Sequence, residues 1–462
     1  MSTNQKASSS GLKKSIGLFE ATLLVVGIVI GSGIFYKPTA VLTAMPAPGM
    51  ALLIWVVGGA LTMAGALTMA EIGSAIPKTG GLYVYLKELF GERWAFLFGW
   101  VQVLVYYPGL SAALAVILAT QTTSFIPLTP MQQKLLAAFY MIFIMLVNLL
   151  STKFATRFSS VFTIGKLLPI AVIILVGIIA GNQHAFGPFL PAESANVSMA
   201  SGFSAALLGV LFGYEGWIAV SNLSGELKSP RKDYPKAIFL GISIITIAYI
   251  GMNIGIMNTM NMNQIIHSEK IASDTAVVLF GTFGEKLIAA GILVSIIGCL
   301  SGFLMSSGRI PYAMAEDDMI PFKQFFGKID ERANTPMNSI VFITVLAVLY
   351  IFSGTYDTLT NLSVFVTWMF LIIGMMGIFV LRKKRPELLQ NSDYRVPLYP
   401  VVPIIGIIGA LYVVFSTLIS GAIMAIYGVG VTLIGIPVYE YLRRHHHHDI
   451  HFKTPKAPHP QH

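Results

Sequence analysis

Gly27-Ile-Val-Ile-Gly31-Ser-Gly33-Ile-Phe35 and Gly209-Val-Leu-Phe-Gly213-Tyr-Glu-Gly216-Trp217 decide the fold. Each lies in an apolar segment long enough to cross a bilayer and sets helix-breaking residues near its middle. Gly27 matches Gly209 and Gly31 matches Gly213 at one offset, 182 residues. In hydrocarbon every backbone polar group needs a partner, so a helix broken there must face protein or a polar cavity. Two interrupted helices at corresponding places in two halves of a chain mark the binding site of a secondary transporter. Taken singly, either motif also fits close helix packing through small residues. The shared offset and the crowding of Gly31, Ser32 and Gly33 favour a site.

Hydrophobic residues make up 55% of the 462, and Asp, Glu, Lys and Arg only 11%. Soluble domains carry about 25% charged residues, so the chain reads as an all-α integral membrane protein in contact with lipid. The net charge of +9 does not signal nucleic acid, because the cations are dealt out between apolar segments instead of gathering on one face. Cys299 is the single cysteine and sits in an apolar stretch, which leaves no disulfide, Cys-ligated cluster or CxxC metal site. No cofactor or metal is expected. The N-terminus, Met1 to Ser10, is polar and runs into a long glycine-interrupted segment, which does not fit a short cleavable signal.

Twelve spans of the required length are expected, at about 16–44, 50–76, 94–118, 131–150, 160–181, 202–226, 236–259, 284–313, 338–353, 358–381, 399–421 and 423–442. Of the 30 Lys and Arg, 25 then fall on the side of the N-terminus and 4 (Lys37, Lys134, Lys270 and Lys286) opposite, with Lys166 inside a span. Cations mark the cytoplasmic side, so both termini are expected there, in a multi-pass protein of the cell membrane. Residues 1–11 read as a cytoplasmic tail, 12–444 as one transporter domain, and 445–462, with His445 to His448, as a disordered tail. The longest external connection, 262–283, holds an apolar stretch, Thr275 to Phe280, suited to a small helix.

The chemistry follows from the breaks. Gly31, Ser32 and Gly33 free backbone N–H groups, and the half-helix from Ile34 to about Leu42 adds its positive N-terminal end, an environment for a carboxylate. The second break frees carbonyls, notably those of Phe212 and Gly213, which suit an ammonium. Together they suit a zwitterion, an α-amino acid. Phe212 reads either as an aromatic lid or as packing, and the side-chain role of Glu215, in the break itself, stays open. Lys166 has two readings also: a functional intramembrane cation with a partner, or a long side chain snorkelling to the surface. Glu71 and Glu226, near cytoplasmic span ends, fit ion-pair latches with Lys78 or Arg231, but solvated helix-end charges are the expectation. An intramembrane hydrolase built on Ser32 would need a base. All nine histidines fall in loops or the tail, which leaves only a remote Ser-Lys pair with Lys166.

Gly31-Ser-Gly-Ile-Phe35, Ala70-Glu-Ile-Gly73, Pro77-Lys-Thr-Gly-Gly-Leu-Tyr83, Phe212-Gly-Tyr-Glu-Gly-Trp217 and Ser306-Ser-Gly-Arg309 together resemble the L-amino acid transporter family of the amino acid–polyamine–organocation superfamily. The likeness covers about 12–444 and is nearest in character to bacterial exchangers of the serine/threonine and alanine–serine–cysteine types. It implies two five-helix inverted repeats, about 12–183 and 200–382, with discontinuous helices 1 and 6, and helices 11 and 12 (about 399–442) outside them. It implies carboxylate binding by the amides of Gly31, Ser32 and Gly33, amino-group binding by carbonyls around Val29, Phe212 and Glu215, and gating by Phe212. It further implies that Lys166 stands where sodium-coupled relatives hold a cation, against the carbonyls of Gly27 to Ile30 and the hydroxyl of Ser295. The substrate-binding set is therefore Val29, Ile30, Gly31, Ser32, Gly33, Phe212, Gly213 and Glu215.

The activity implied is sodium-independent exchange of small neutral L-amino acids such as alanine, serine and threonine by alternating access, with proton-coupled symport as the alternative. Two departures stand out. Animal members join a single-span glycoprotein through a cysteine between spans 3 and 4, and residues 119–130 contain none, so no disulfide-linked heavy subunit is expected. Glu215 stands where animal members commonly have glycine. The orientation is testable: single cysteines placed at Phe125 and Lys270 should react with an impermeant thiol reagent added outside intact cells, and labelling of either only after permeabilisation would overturn it.

Overall fold

The computed structural model describes residues 12–183, 185–191, 198–268, 270–353, 356–390, 392–420 and 422–451. Glycine stops the first apolar helix midway. α1 (Leu18–Val29) ends at Ile30, and the Gly31 N–H turns back onto the Val29 carbonyl at 2.8 Å. α2 (Gly33–Ala44) resumes at an angle of 46°. α3 (Pro48–Ala75) starts on a proline, whose missing N–H costs nothing at that position. α4 (Leu82–Phe90) is a short connector, followed by α5 (Glu92–Val101) and α6 (Tyr107–Thr122). A single π-helical turn, Gln102–Tyr106, fuses α5 and α6 into one span.

α7 (Pro130–Leu150) opens with a capping box between Thr129 and Gln132, and α8 (Thr152–Ala180) with Ser151 accepting from the Phe154 N–H. α9 (Met199–Gly213) carries the second break. Gly216 adopts φ +110°, a conformation that favours glycine, and the chain continues as a 3-10 stretch, Trp217–Glu226. α10 (Pro230–Thr259), α11 (Met262–Ile266), α12 (Ile271–Phe280), α13 (Thr282–Ser307), α14 (Arg309–Glu316), α15 (Lys323–Phe326), α16 (Met337–Ser353), α17 (Tyr356–Lys384), α18 (Val401–Ser420) and α19 (Ala422–His451) complete the chain.

Among the described residues ten helical stretches are long and apolar enough to cross a membrane, and the bent pair of α1 and α2, taken as one span, makes an eleventh. The remaining expected span, 338–353, is α16, whose 17 residues give a rise of about 26 Å, short of the roughly 30 Å hydrocarbon core. Side chains such as Leu150, Leu168, Ile179 and Ile419 point outward as an apolar surface fit for lipid. α12 lies where a small external helix was expected. α19 runs to His451, which corrects the reading of 445–451 as unfolded: propagating an existing helix fixes one residue per added hydrogen bond, without a new nucleus. Residues 452–462 and 1–11 lie outside the described residues.

α1 packs on α10, α8, α13 and the 3-10 stretch, α3 on α10 and α9, and α2 on α9; α13 packs on α8 and α6, and α6 on α7 and α16. On the cation-rich side the backbone of Ser15 and Ile16 pairs with Glu226 and Lys228, tying the start of the first span to the end of the second break.

Glu71 and Glu226 are not solvated. Both are fully buried, and their partners are neither Lys78 nor Arg231. Glu226 takes a two-pronged contact from Arg309 at 2.8 and 2.9 Å, and Glu71 takes one from Arg382 at 2.9 and 2.7 Å plus the Val396 N–H at 2.6 Å. Lys78 instead pairs with Glu88. Burial explains why Lys78 is not the partner: a carboxylate out of water needs a fork that fills both oxygens, which arginine supplies and lysine does not.

Candidate functional site

The two breaks meet face to face. A Cβ added to Gly33 would lie 3.3 Å from the Cα of Gly213, and one added to Gly216 would lie 3.0 Å from Ile28 Cγ2. Gly33 is therefore needed for contact between the breaks as well as for exposing its amide. Gly27 serves packing, since its Cβ would strike the Thr163 hydroxyl at 2.3 Å. Beside this contact is a cavity of about 80 Å³, bounded by Val29, Gly31, Ser32, Gly33 and Lys37 from the first broken helix, Phe212, Gly213, Glu215 and Gly216 from the second, and Cys299 and Phe303 from α13. At about 10–15 Å³ per water, it holds a few waters or one small solute.

What fixes the breaks is a set of donors aimed at the oxygens the helices give up. The Lys166 ammonium, fully buried on α8, donates to Gly27 O at 2.8 Å and Ile30 O at 2.5 Å. Ser295 on α13 reaches Ile30 O at 3.2 Å and Gly31 O at 3.4 Å, and Cys299 one turn on donates its S–H to Ile28 O at 3.0 Å. The Tyr249 hydroxyl, from α10, touches both breaks, Gly213 O at 2.7 Å and Val29 O at 3.3 Å. Its ring is held edge-on against Trp55 and beside Tyr214. The Glu215 N–H closes on Phe212 O at 3.2 Å.

The residues singled out from sequence thus converge on one place. Lys166 and Ser295 share the Ile30 oxygen, and the ammonium points inward, so it does not snorkel. Ile30 faces this donor set and does not line the cavity. The Gly31 amide, expected to receive a carboxylate, is occupied by Val29 O. Glu215 faces the cavity with its carboxylate receiving the Tyr106 hydroxyl at 3.0 Å.

Tyr249, Cys299 and Tyr106 were not anticipated. The available signal was a tyrosine in mid-span, which must find a partner for its hydroxyl, but nothing in its spacing names that partner. Tyr106 sits in the π-helical turn, which shifts the register of the helix by part of a turn; such bulges recur at functional sites.

Beneath the cavity, toward the cation-rich side, the interior is sealed in layers. Phe303 packs on Tyr106 and Tyr107 with ring centroids 5.4 and 4.8 Å apart. Asn222 then bonds Tyr107 and Ser306, and Ser306 donates to Ala219 O at 2.6 Å. The Glu226–Arg309 pair lies below them, one turn further along α13 and α14.

Residues 16–435 match the family model described as amino acid permease. The chain is 39% identical to the serine/threonine exchanger SteT of Bacillus subtilis (strain 168), over 94% of this chain and 98% of that one. It is 32% identical to the large neutral amino acids transporter small subunit 2 of Homo sapiens, over 93% and 80%, and 33% identical to the Asc-type amino acid transporter 1 of Mus musculus, over 93% and 81%. These are transporters, not enzymes. The hydrolase reading falls with them, and the Lys166 ammonium, donating to two carbonyls, is not placed as a base.

Tyr249→Phe isolates the bridge between the breaks. It takes the side-chain donor from the buried Gly213 O, while Val29 O keeps the Gly31 N–H; the change is worth about 1–3 kcal/mol and should lower the Tm in detergent without altering the helical content. An unchanged Tm would mean that the hydroxyl contributes nothing to holding the breaks.

Proposed function

The chain belongs to the amino acid permease family, and from that premise we propose that it is a sodium-independent exchanger of small neutral L-amino acids, first among them alanine, serine and threonine. The observation that carries this reading is the small cavity lined by residues of both broken helices. A substrate carboxylate fits the amides of Ser32 and Gly33 at the start of α2, where the helix dipole adds its positive end. The substrate ammonium fits the second lone pairs of the Phe212 and Gly213 oxygens, with the Glu215 carboxylate close by; Val29 O already takes the Gly31 N–H and the Tyr249 hydroxyl. The size of the cavity favours short side chains. Phe212, half-buried at its edge, is the gate.

Lys166 supports independence from sodium. Its ammonium fills the position between α1 and α8 that a bound cation would take, donating to carbonyls that would otherwise ligate one. It lies on α8 and its acceptors on the first broken helix, so it is placed to bias which face opens when one set of helices rocks against another around the site. In this reading the protein lies in the cell membrane with both termini in the cytoplasm.

Proton-coupled symport is a second reading, and Glu215 favours it: a carboxylate facing the cavity is a natural proton carrier. Liposomes separate the two. Vesicles loaded with serine should take up labelled serine far faster than empty ones, with potassium fully replacing sodium. Equal uptake into empty vesicles would contradict exchange, and accumulation driven there by a pH gradient would establish symport instead.

A further inference from the structure

The segment ahead of α1 closes a ring of contacts on the cation-rich side. Both backbone groups of Lys13 are taken by one side chain: its N–H donates to Asn334 Oδ1 at 2.9 Å, and its carbonyl accepts from Asn334 Nδ2 at 3.3 Å. Further on, the Ser15 and Ile16 N–H groups donate to Glu226 O at 2.9 and 3.1 Å and the Lys228 N–H donates to Ile16 O at 2.8 Å, a short parallel pairing of Ile16 with Leu227. Asn334 belongs to a turn braced by Asp330, whose carboxylate accepts the Ala333 N–H at 2.7 Å. That turn is fixed to the start of α8: the Thr152 N–H donates to Ala333 O at 2.9 Å and the Thr152 hydroxyl to Asn334 O at 2.5 Å. The same hydroxyl accepts from Arg309 at 3.0 Å, and Arg309 holds Glu226. The contacts thus return to their start, from Lys13 through Asn334, Thr152, Arg309 and Glu226 to Ile16.

The ring has two unlike halves. The pairing of Ile16 with Leu227 is backbone to backbone and joins the ends of the two broken helices to each other. The Lys13–Asn334 contact joins the first broken helix to a turn held by α8, and it is exposed, whereas Glu226 and Arg309 are fully buried. An exposed hydrogen bond is exchanged for water at little cost, and a buried ion pair is not. We propose that residues 12–17 are a latch: the Lys13–Asn334 contact opens first and admits water to the Glu226–Arg309 pair, while the Ile16–Leu227 pairing persists and carries both broken helices as one body. The proposal rests on the alternating-access reading above and names the device that controls one of its two faces. α8 also holds the first break through Lys166. The first broken helix is therefore tied to α8 at two levels, one buried beside the cavity and one exposed at the rim, and freeing the rim lets its end swing about the buried tie.

Two bridges separate the halves of the ring. In liposomes loaded with serine, Lys13→Cys with Asn334→Cys fully joined by a short bis-maleimide should stop exchange of labelled serine. Ser15→Cys with Lys228→Cys joined by the same reagent should keep the rate of the unbridged pair. Single-cysteine variants treated alike report any effect of the reagent, and the buried Cys299 stays in place in all of them. Asn334 has φ +52°, so Asn334→Gly keeps the backbone and removes only the clamp. Freeing the latch favours the state open on the cation-rich side, and apparent affinity scales with the fraction of protein in the competent state. Serine affinity should therefore rise on that face and fall on the other, changing their ratio by about 2- to 10-fold, the worth of one ordinary hydrogen bond. Exchange that persists under the Lys13–Asn334 bridge, or is lost equally under both bridges, would overturn the latch, as would an unchanged affinity ratio in Asn334→Gly. Should a cysteine pair not fold, the Asn334→Gly ratio decides alone. A wild-type protein that exchanges no serine would overturn the transport cycle itself.

Discussion

A helix broken inside hydrocarbon releases carbonyl oxygens that no solvent reaches, and the remainder of this structure is arranged around answering them. The first break gives up the oxygens of Gly27 through Gly31, and each has a donor from another helix: Lys166, Cys299, Tyr249 or Ser295. The second gives up Gly213 O, which the same Tyr249 takes. Water in the cavity is a poor substitute, because a water is lost whenever a solute enters. Side-chain donors hold the broken geometry through that exchange, so the site is shaped before anything binds.

The donors come from helices other than the broken ones, which connects local chemistry to motion. Lys166, Ser295 and Cys299 lie on α8 and α13; the oxygens they hold lie on the first broken helix. Moving α8 and α13 against that helix must stretch these bonds or carry it along. The layers beneath the cavity, from Phe303 through Asn222 and Ser306 to the Glu226–Arg309 pair, close the cation-rich side, while Lys37 and Phe212 border the cavity on α2 and α9. Breaking a buried ion pair costs about 3–5 kcal/mol when one partner is left alone. Any opening on that side must move Glu226 and Arg309 together or replace their contact with water.

Much of this was legible in the sequence, because membrane structure follows from few rules. Hydropathy located the spans, glycine crowding located both breaks, and the rarity of an intramembrane lysine picked out Lys166. What stayed hidden depends on side chains far apart in sequence. Glu71 and Arg382, or Glu226 and Arg309, carry no local sign of their pairing, so solvated helix-end charges were expected, with nearby Lys78 and Arg231 as the only partners in view. The π-helical turn that places Tyr106 opposite Glu215 leaves no mark in a run of apolar residues. The Gly31 amide shows another limit: a freed N–H counts as an open donor in sequence, but a tight turn onto Val29 O satisfies it within the chain. Gly33 looked like an opening for a ligand, and the structure adds a second reason for it, contact with Gly213.

The central claim is that the Lys166 ammonium holds the first break in place of a bound cation and couples α8 to the first broken helix. Transport by Lys166→Ala in oriented proteoliposomes tests it most directly, with serine affinity measured separately from each face and folding checked in detergent. Losing two charged hydrogen bonds to the break should slow exchange by about tenfold or more and change the ratio of affinities at the two faces, with the protein still folded. Wild-type exchange with both affinities unchanged would contradict the account.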